Sequence, residues 1–160
     1  MLAVGHRFPL YKTDACIGIA AGQFVKISNT AFAGRWACYF FYPKDFESPC
    51  PPELIELGQR IKDFKDRDCE VLAGSTDNEF SHQAWRRSHP HLKELPYPML
   101  NASRLAFDLG IVDGNACQRV AFLVDPHGVV QWAGGTNVVA VLRAIDALQS
   151  DELCPCNRKA

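Results

Sequence analysis

Trp36-Ala37-Cys38-Tyr39-Phe40-Phe41-Tyr42, closed by Pro43, is a continuous apolar and aromatic run. A strand with one face in water alternates apolar and polar residues, so a run without alternation predicts a central strand covered on both faces. Pro43 ends it. Beyond it, Leu54, Leu57, Ile61 and Phe64 recur at helical spacing on one face, while Glu56, Gln59, Arg60 and Lys62 fall elsewhere. With Pro51 and Pro52 near the start, where a missing amide donor costs little, this predicts a helix over about residues 51–66. Cys69 to Ser75 reads as a second buried strand. An amphipathic helix from about Asn78 to His89 follows, carrying Phe80 and Trp85, with Asp77 as its N-cap. Strand, helix, strand is a βαβ unit, whose right-handed crossover lays the first helix on one face of the sheet.

The remainder extends this pattern. Ser103 caps a short helix that runs to Leu109 and stops at Gly110. Arg119 to Asp125 is a third strand, and the turn Asp125-Pro126-His127-Gly128 leads into Val129-Val130-Gln131-Trp132 as a hairpin. A last helix over about 137–149 places Val138, Val141, Leu142, Ile145 and Leu148 on one face, and a polar tail follows. The order βαβα then ββα describes an α/β protein with a mixed central sheet and helices on both faces, the thioredoxin-like arrangement. The first 30 residues lie outside that pattern. The domain is expected to span residues 1–150, with a C-terminal tail over 151–160. A layout of this kind hosts many activities, so function has to come from the site.

The 160 residues are 48% hydrophobic and 22% charged, with 17 basic against 18 acidic side chains, which fits one globular domain with its own core. A near-neutral balance lacks the basic footprint of a nucleic-acid partner or an anionic membrane surface. The longest apolar stretch, Ala15 to Gly22, is far short of a membrane span, and Arg7 and Pro9 interrupt what a signal peptide keeps apolar, so a cytoplasmic location is expected. Seven cysteines, at positions 16, 38, 50, 69, 117, 154 and 156, are an odd number with no export signal, which disfavours a secreted disulfide framework. Cys16, Cys38 and Cys69 sit in apolar or strand-like contexts and are expected to be small core residues. Cys50, between Pro49 and Pro51, and Cys154-Pro155-Cys156 in the polar tail stand apart.

Cys50 falls where a helix begins, and there the unpaired amides and the positive end of the dipole favour an anion. Such placement brings a thiol pKa from about 8.5 down to roughly 3.5–7.5, making a nucleophile at neutral pH. Glu53 stands where a CxxC motif needs its second cysteine, so any partner thiol comes from far along the chain, and the tail cysteines supply one. No metal or cofactor is called for. The Cys154-x-Cys156 gap is too short for the usual zinc ligand spacing and has no second pair nearby, and His89-Pro90-His91 lacks an accompanying carboxylate. His82 and Trp85 read as packing residues beside the Cys50 helix.

Phe41-Tyr42-Pro43-Lys44-Asp45-Phe46, then Cys50-Pro51 and Glu53, resembles the peroxidatic-cysteine loop of peroxiredoxins. Further stretches, Asp63 to Asp68, His82 to Arg86, Leu95 to Leu100, Arg119 to Pro126, and Ala147 to Asn157, resemble the two-cysteine bacterial alkyl hydroperoxide reductase group of that family in the same order. The resemblance implies a thiol-dependent peroxidase that reduces hydrogen peroxide and organic hydroperoxides. In it Cys50 is the peroxidatic cysteine and becomes a sulfenic acid. Arg119 stabilises the thiolate and polarises the peroxide bond, and Pro43 shields the pocket. Cys154 is the resolving cysteine that forms a disulfide with Cys50, usually across a dimer interface, while Cys156 has no assigned part. It further implies a homodimer that assembles into decamers, reduced by a thioredoxin-like protein, a flavoprotein or an AhpD-type partner.

The chain departs from that family in the cysteine loop and after Trp132; in the loop, Ser48-Pro49 also stands for an apolar pair and Pro52 for a hydroxyl residue. The loop pattern Pro-x-x-x-Thr/Ser-x-x-Cys, counted from Pro43, puts Glu47 where a hydroxyl belongs. A carboxylate only accepts hydrogen bonds, repels a thiolate and can capture Arg119 in a bidentate pair. After Trp132, Ala133-Gly134-Gly135-Thr136 leads straight into the last helix, where the family has a longer connection bearing another arginine; Arg143 belongs to the helix itself, so a second guanidinium is expected to be missing. These changes leave a competing reading, a redox sensor or holdase that keeps the fold and its thiols but turns over slowly. Glu47→Thr should therefore speed oxidation of the reduced protein by peroxide about tenfold or more and lower the Cys50 thiol pKa. Stopped-flow kinetics and a pH titration of thiolate absorbance measure both, and unchanged values would show the carboxylate to be chemically silent.

Overall fold

The computed structural model describes residues 1–47 and 50–153, the side chains of residues 50, 51 and 151–153 excepted. The central run forms strand β3 (Trp36–Phe41), buried at every position. Its neighbours are β4 (Cys69–Ser75), parallel to it, and β8 (Val120–Val124), antiparallel. The seven-stranded sheet has the order β2-β1-β5-β4-β3-β8-β9, so β3 lies inside it, flanked on both edges. The remaining strands of that sheet are β1 (Lys12–Cys16), β2 (Phe24–Ser28), β5 (Met99–Asn101) and β9 (Val130–Gly134), and β6 (Val112–Asp113) pairs with β7 (Ala116–Cys117) as a separate hairpin.

Two-sided burial of β3 sorts its side chains into two cores. Trp36, Cys38, Phe40 and Tyr42 face one side with Leu54 and Leu57 of α1 (Cys50–Gln59), Phe64 of α2 (Ile61–Lys65), Trp85 of α3 (Glu79–Ser88) and Val141 and Ile145 of α5 (Val138–Leu153). Ala37, Tyr39 and Phe41 face the other, with Phe8, Phe122, and Leu105 and Leu109 of α4 (Ser103–Leu109). Phe8 stacks on Tyr39 at 4.4 Å between ring centroids. The β8–β9 hairpin turns where expected: the Asp125 carboxylate accepts the amides of His127 and Val129, and Gly128 takes φ +83, a conformation that disfavours side chains.

Several expectations are corrected. The helix read as 51–66 is two helices, α1 and α2, separated at Arg60, whose φ of −101 and ψ of 12 leave the helical range. Asn78, not Asp77, caps α3, its side chain accepting the Ser81 amide at 2.9 Å; Asp77 turns instead to the Asp45 amide. Ser103 is the first residue of α4 rather than its cap, and its own amide is directed at the Asn101 side chain. The last helix runs on to Leu153, since no glycine or proline interrupts the stretch after Gln149 before Pro155. The first 30 residues contribute two strands to the main sheet: β1 pairs with β5 through Ala15 and Cys16, and β2 forms the edge. Their half-buried, mixed composition carried no strong period.

Leu57 is fully buried and ties α1 to the sheet. Leu57→Ala should lower the unfolding free energy by about 2–5 kcal/mol, read from urea denaturation. A smaller loss would place α1 outside the cooperative core.

Candidate functional site

The site forms where β3 ends. Pairing of Phe41 with Val120 brings the start of β8, and Arg119 before it, beside the end of the central strand. The Cys117 amide donates to the Pro43 carbonyl at 3.2 Å, so the small β6–β7 hairpin pins the proline and delivers Arg119 two residues later. Cys50 is the first residue of α1; its side chain, and Cys154 with the rest of the tail, lie outside the described residues. Pro51 and Pro52 remove two of the amide donors that a helix start ordinarily offers, leaving more of any anion stabilisation to side chains.

Glu53 supplies the connection. It stands three residues after Cys50, hence on the same helix face one turn along. Its Oε2 accepts from Arg119 Nη1 at 3.3 Å and from the Thr136 hydroxyl at 2.7 Å. The first turn of α1 is thus tied to the start of β8 and to the connection between β9 and α5. Glu47 is exposed, where water screens its charge, so its main consequence for the site is the hydroxyl it displaces. Arg143 is exposed on α5, and Thr136 occupies the connection where a second guanidinium is expected from the family pattern.

Under the loop lies a buried polar network that sequence reasoning missed. Asp45 accepts from the Tyr42 hydroxyl at 2.6 Å and faces His82 Nδ1 at 2.7 Å, while His82 Nε2 lies 2.8 Å from the Leu100 carbonyl. That carbonyl can only accept, so Nε2 carries hydrogen and Nδ1 is the ring atom turned to the carboxylate. The Asp45 amide donates to Asp77 at 2.6 Å. Burial, reinforced by the Asp45 charge, pushes the Tyr42 hydroxyl up, which keeps it a donor. His82 is therefore a bonded anchor of the loop, more than the packing residue its position suggests. Trp85 packs in the core against Tyr42 and Phe46. Phe46 holds φ +63, unusual for a side-chain-bearing residue, between the anchored Asp45 and the segment leading to Cys50. Away from this site, His89 Nδ1 accepts the His91 amide and braces its own loop.

This assembly can hold a thiol at a helix start beside a fixed guanidinium. The AhpC/TSA family pattern matches residues 4–133. The chain is 40% identical to alkyl hydroperoxide reductase C of Mycolicibacterium smegmatis over 99% of its own length and 91% of that protein's. The chain belongs to the AhpC/TSA family. It is 34% identical to a thioredoxin peroxidase of Trypanosoma brucei rhodesiense, over 86% of this chain and 78% of the relative. The structure of Mycobacterium tuberculosis AhpC superposes with a TM-score of 0.87 at 38% identity, covering 98% of both chains. The protein is a thiol-dependent peroxidase with the thioredoxin-like fold of peroxiredoxins.

Three of the buried thiols of this peroxiredoxin, Cys38, Cys69 and Cys117, are chemically quiet. Cys16, Cys38, Cys69 and Cys117 are free and buried. Desolvation pushes Cys38 and Cys69 up, and Cys117 up to about 12. A raised thiol pKa means the neutral form prevails until the pH approaches it. Brief alkylation of the reduced native protein at pH 8 should leave Cys38, Cys69 and Cys117 unlabelled by mass mapping and label all three after denaturation. Native labelling of Cys117, close to Pro43, would contradict its burial.

Proposed function

We propose that Cys50 is the peroxidatic thiol and Arg119 its electrostatic partner. The observation that carries this is the Arg119–Glu53 contact, which holds a guanidinium beside the first turn of the helix that Cys50 opens. The Cys50 thiolate attacks the terminal oxygen of a peroxide. The S–O bond forms as the O–O bond breaks, and the leaving oxygen departs with a proton as water or an alcohol, giving Cys50 sulfenic acid. Arg119 stabilises both the thiolate and the charge growing on the leaving oxygen, and Pro43 limits water at the thiol. Hydrogen peroxide and organic hydroperoxides are the substrates.

The thiolate of Cys154 then attacks the sulfenic sulfur; the S–S bond forms as the S–O bond breaks, hydroxide leaves and takes a proton from solvent to become water, and the disulfide joins the two cysteines across a homodimer, the unit of a decamer. A dithiol reductant of the thioredoxin-like class, a flavoprotein or an AhpD-type protein returns both thiols. Names of relatives such as thioredoxin peroxidase support the first of these. The protein works in the cytoplasm, consistent with the four unpaired buried cysteines among the described residues. Among the described residues no helix is long and apolar enough to cross a membrane.

Stopped-flow oxidation of the reduced protein by hydrogen peroxide tests the assignment. Cys50→Ser should abolish the fast phase, whereas Cys154→Ser should retain it and lose the disulfide-linked dimer band on non-reducing electrophoresis. A fast phase that survives Cys50→Ser would refute it, and a band lost only in Cys156→Ser would move the resolving role.

A further inference from the structure

The carboxylate between Arg119 and α1 has a second and shorter contact, the 2.7 Å bond from the Thr136 hydroxyl. Thr136 is 9% exposed, whereas the Glu53 and Arg119 side chains are 33% and 30% exposed. The least exposed member of the trio thus holds the carboxylate most closely. Both donors converge on one oxygen, Oε2, so the direction of the hydroxyl bond fixes where the guanidinium meets the carboxylate. Thr136 is itself fixed. It lies between Gly134, paired with Ala121 at the end of β9, and Asn137, whose side chain accepts the Ala140 amide and whose carbonyl accepts the Val141 amide at the start of α5. A rigid strand end and a rigid helix start leave its hydroxyl little freedom.

We propose that Thr136 is a positioning residue for the peroxidase reaction: by holding Glu53 it sets where Arg119 stands relative to Cys50. A neutral hydroxyl does this without adding charge. Where the family brings a second arginine to this connection, the short connection here supplies direction alone, and Arg119 brings the positive charge. Without the hydroxyl, Glu53 exchanges a directed bond for water and swings with its partly exposed side chain. Arg119 then loses one fixed partner, and the field at Cys50 weakens. The expected result is a slower attack on peroxide and a higher thiol pKa, because a less fixed positive charge stabilises the thiolate less.

This inference rests on Cys50 as the peroxidatic thiol, and the test separates the two. The second-order rate of oxidation by hydrogen peroxide and its pH profile are measured for the wild type, Cys50→Ser, Thr136→Val and Thr136→Ser. Valine keeps the shape and removes the hydroxyl; serine restores it. Thr136→Val should lose about tenfold in rate, the size of one directed bond to a charged group, and shift the pH profile upward, while Thr136→Ser recovers both. An unshifted profile in Thr136→Val, an unchanged rate, or an equal loss in Thr136→Ser would overturn the positioning role while leaving Cys50 intact. Retention of the fast reaction by Cys50→Ser would instead overturn the assignment of the thiol.

Discussion

Burial of β3 on both faces is the constraint from which the rest of the molecule follows. Each of its residues from Trp36 to Phe41 has to be covered, and alternate side chains demand separate layers, α1, α2, α3 and α5 on one face and α4 with Phe8 on the other. A strand in that position has neighbours on both edges. Its end is therefore the one place where β8, the loop after Pro43 and the start of α1 meet. The site is a consequence of where the central strand stops.

At that meeting point three separate chain segments converge on one carboxylate. Glu53 comes from the first turn of α1, Arg119 from the start of β8, and Thr136 from the connection into α5. Each element is fixed independently by the core, so the convergence needs little further ordering when substrate arrives. The Asp45–His82–Tyr42 network does comparable work beneath the loop, anchoring its first half to α3 and to the Leu100 carbonyl. Cys50 is thereby bracketed, with a buried polar anchor before it in sequence and an ion pair one helical turn after it.

The division between what was legible in the sequence and what was not follows the range of the interactions. Strands β3, β4 and β8 announce themselves because full burial requires unbroken apolar runs, and the Asp125–Gly128 turn because its chemistry is local. Strands β1 and β5 are hidden: Lys12–Cys16 is mixed in character, and Met99–Asn101 is too short to show a period. Cys50, Pro43 and Arg119 stand out by motif, but the partners of Arg119 do not. Glu53 reads as an ordinary first-turn acid until the fold brings Thr136, 83 residues away, against it. Likewise Asp45 and His82 are 37 residues apart, and only the packing of α3 under the loop makes them a pair. The departure at Glu47 is visible in sequence, whereas its exposure, and the pairing of Arg119 with Glu53, required the structure.

The central claim is that Glu53 and Arg119 act as one unit on Cys50, and a double-mutant cycle tests it most directly. Second-order rates of oxidation by hydrogen peroxide are compared for the wild type, Glu53→Gln, Arg119→Gln and the double variant. If the two form a unit, the second substitution adds little once the first is made, and the double variant is at least about tenfold faster than the product of the single losses predicts. Losses that simply multiply would show that Arg119 reaches Cys50 without Glu53, and would contradict the account.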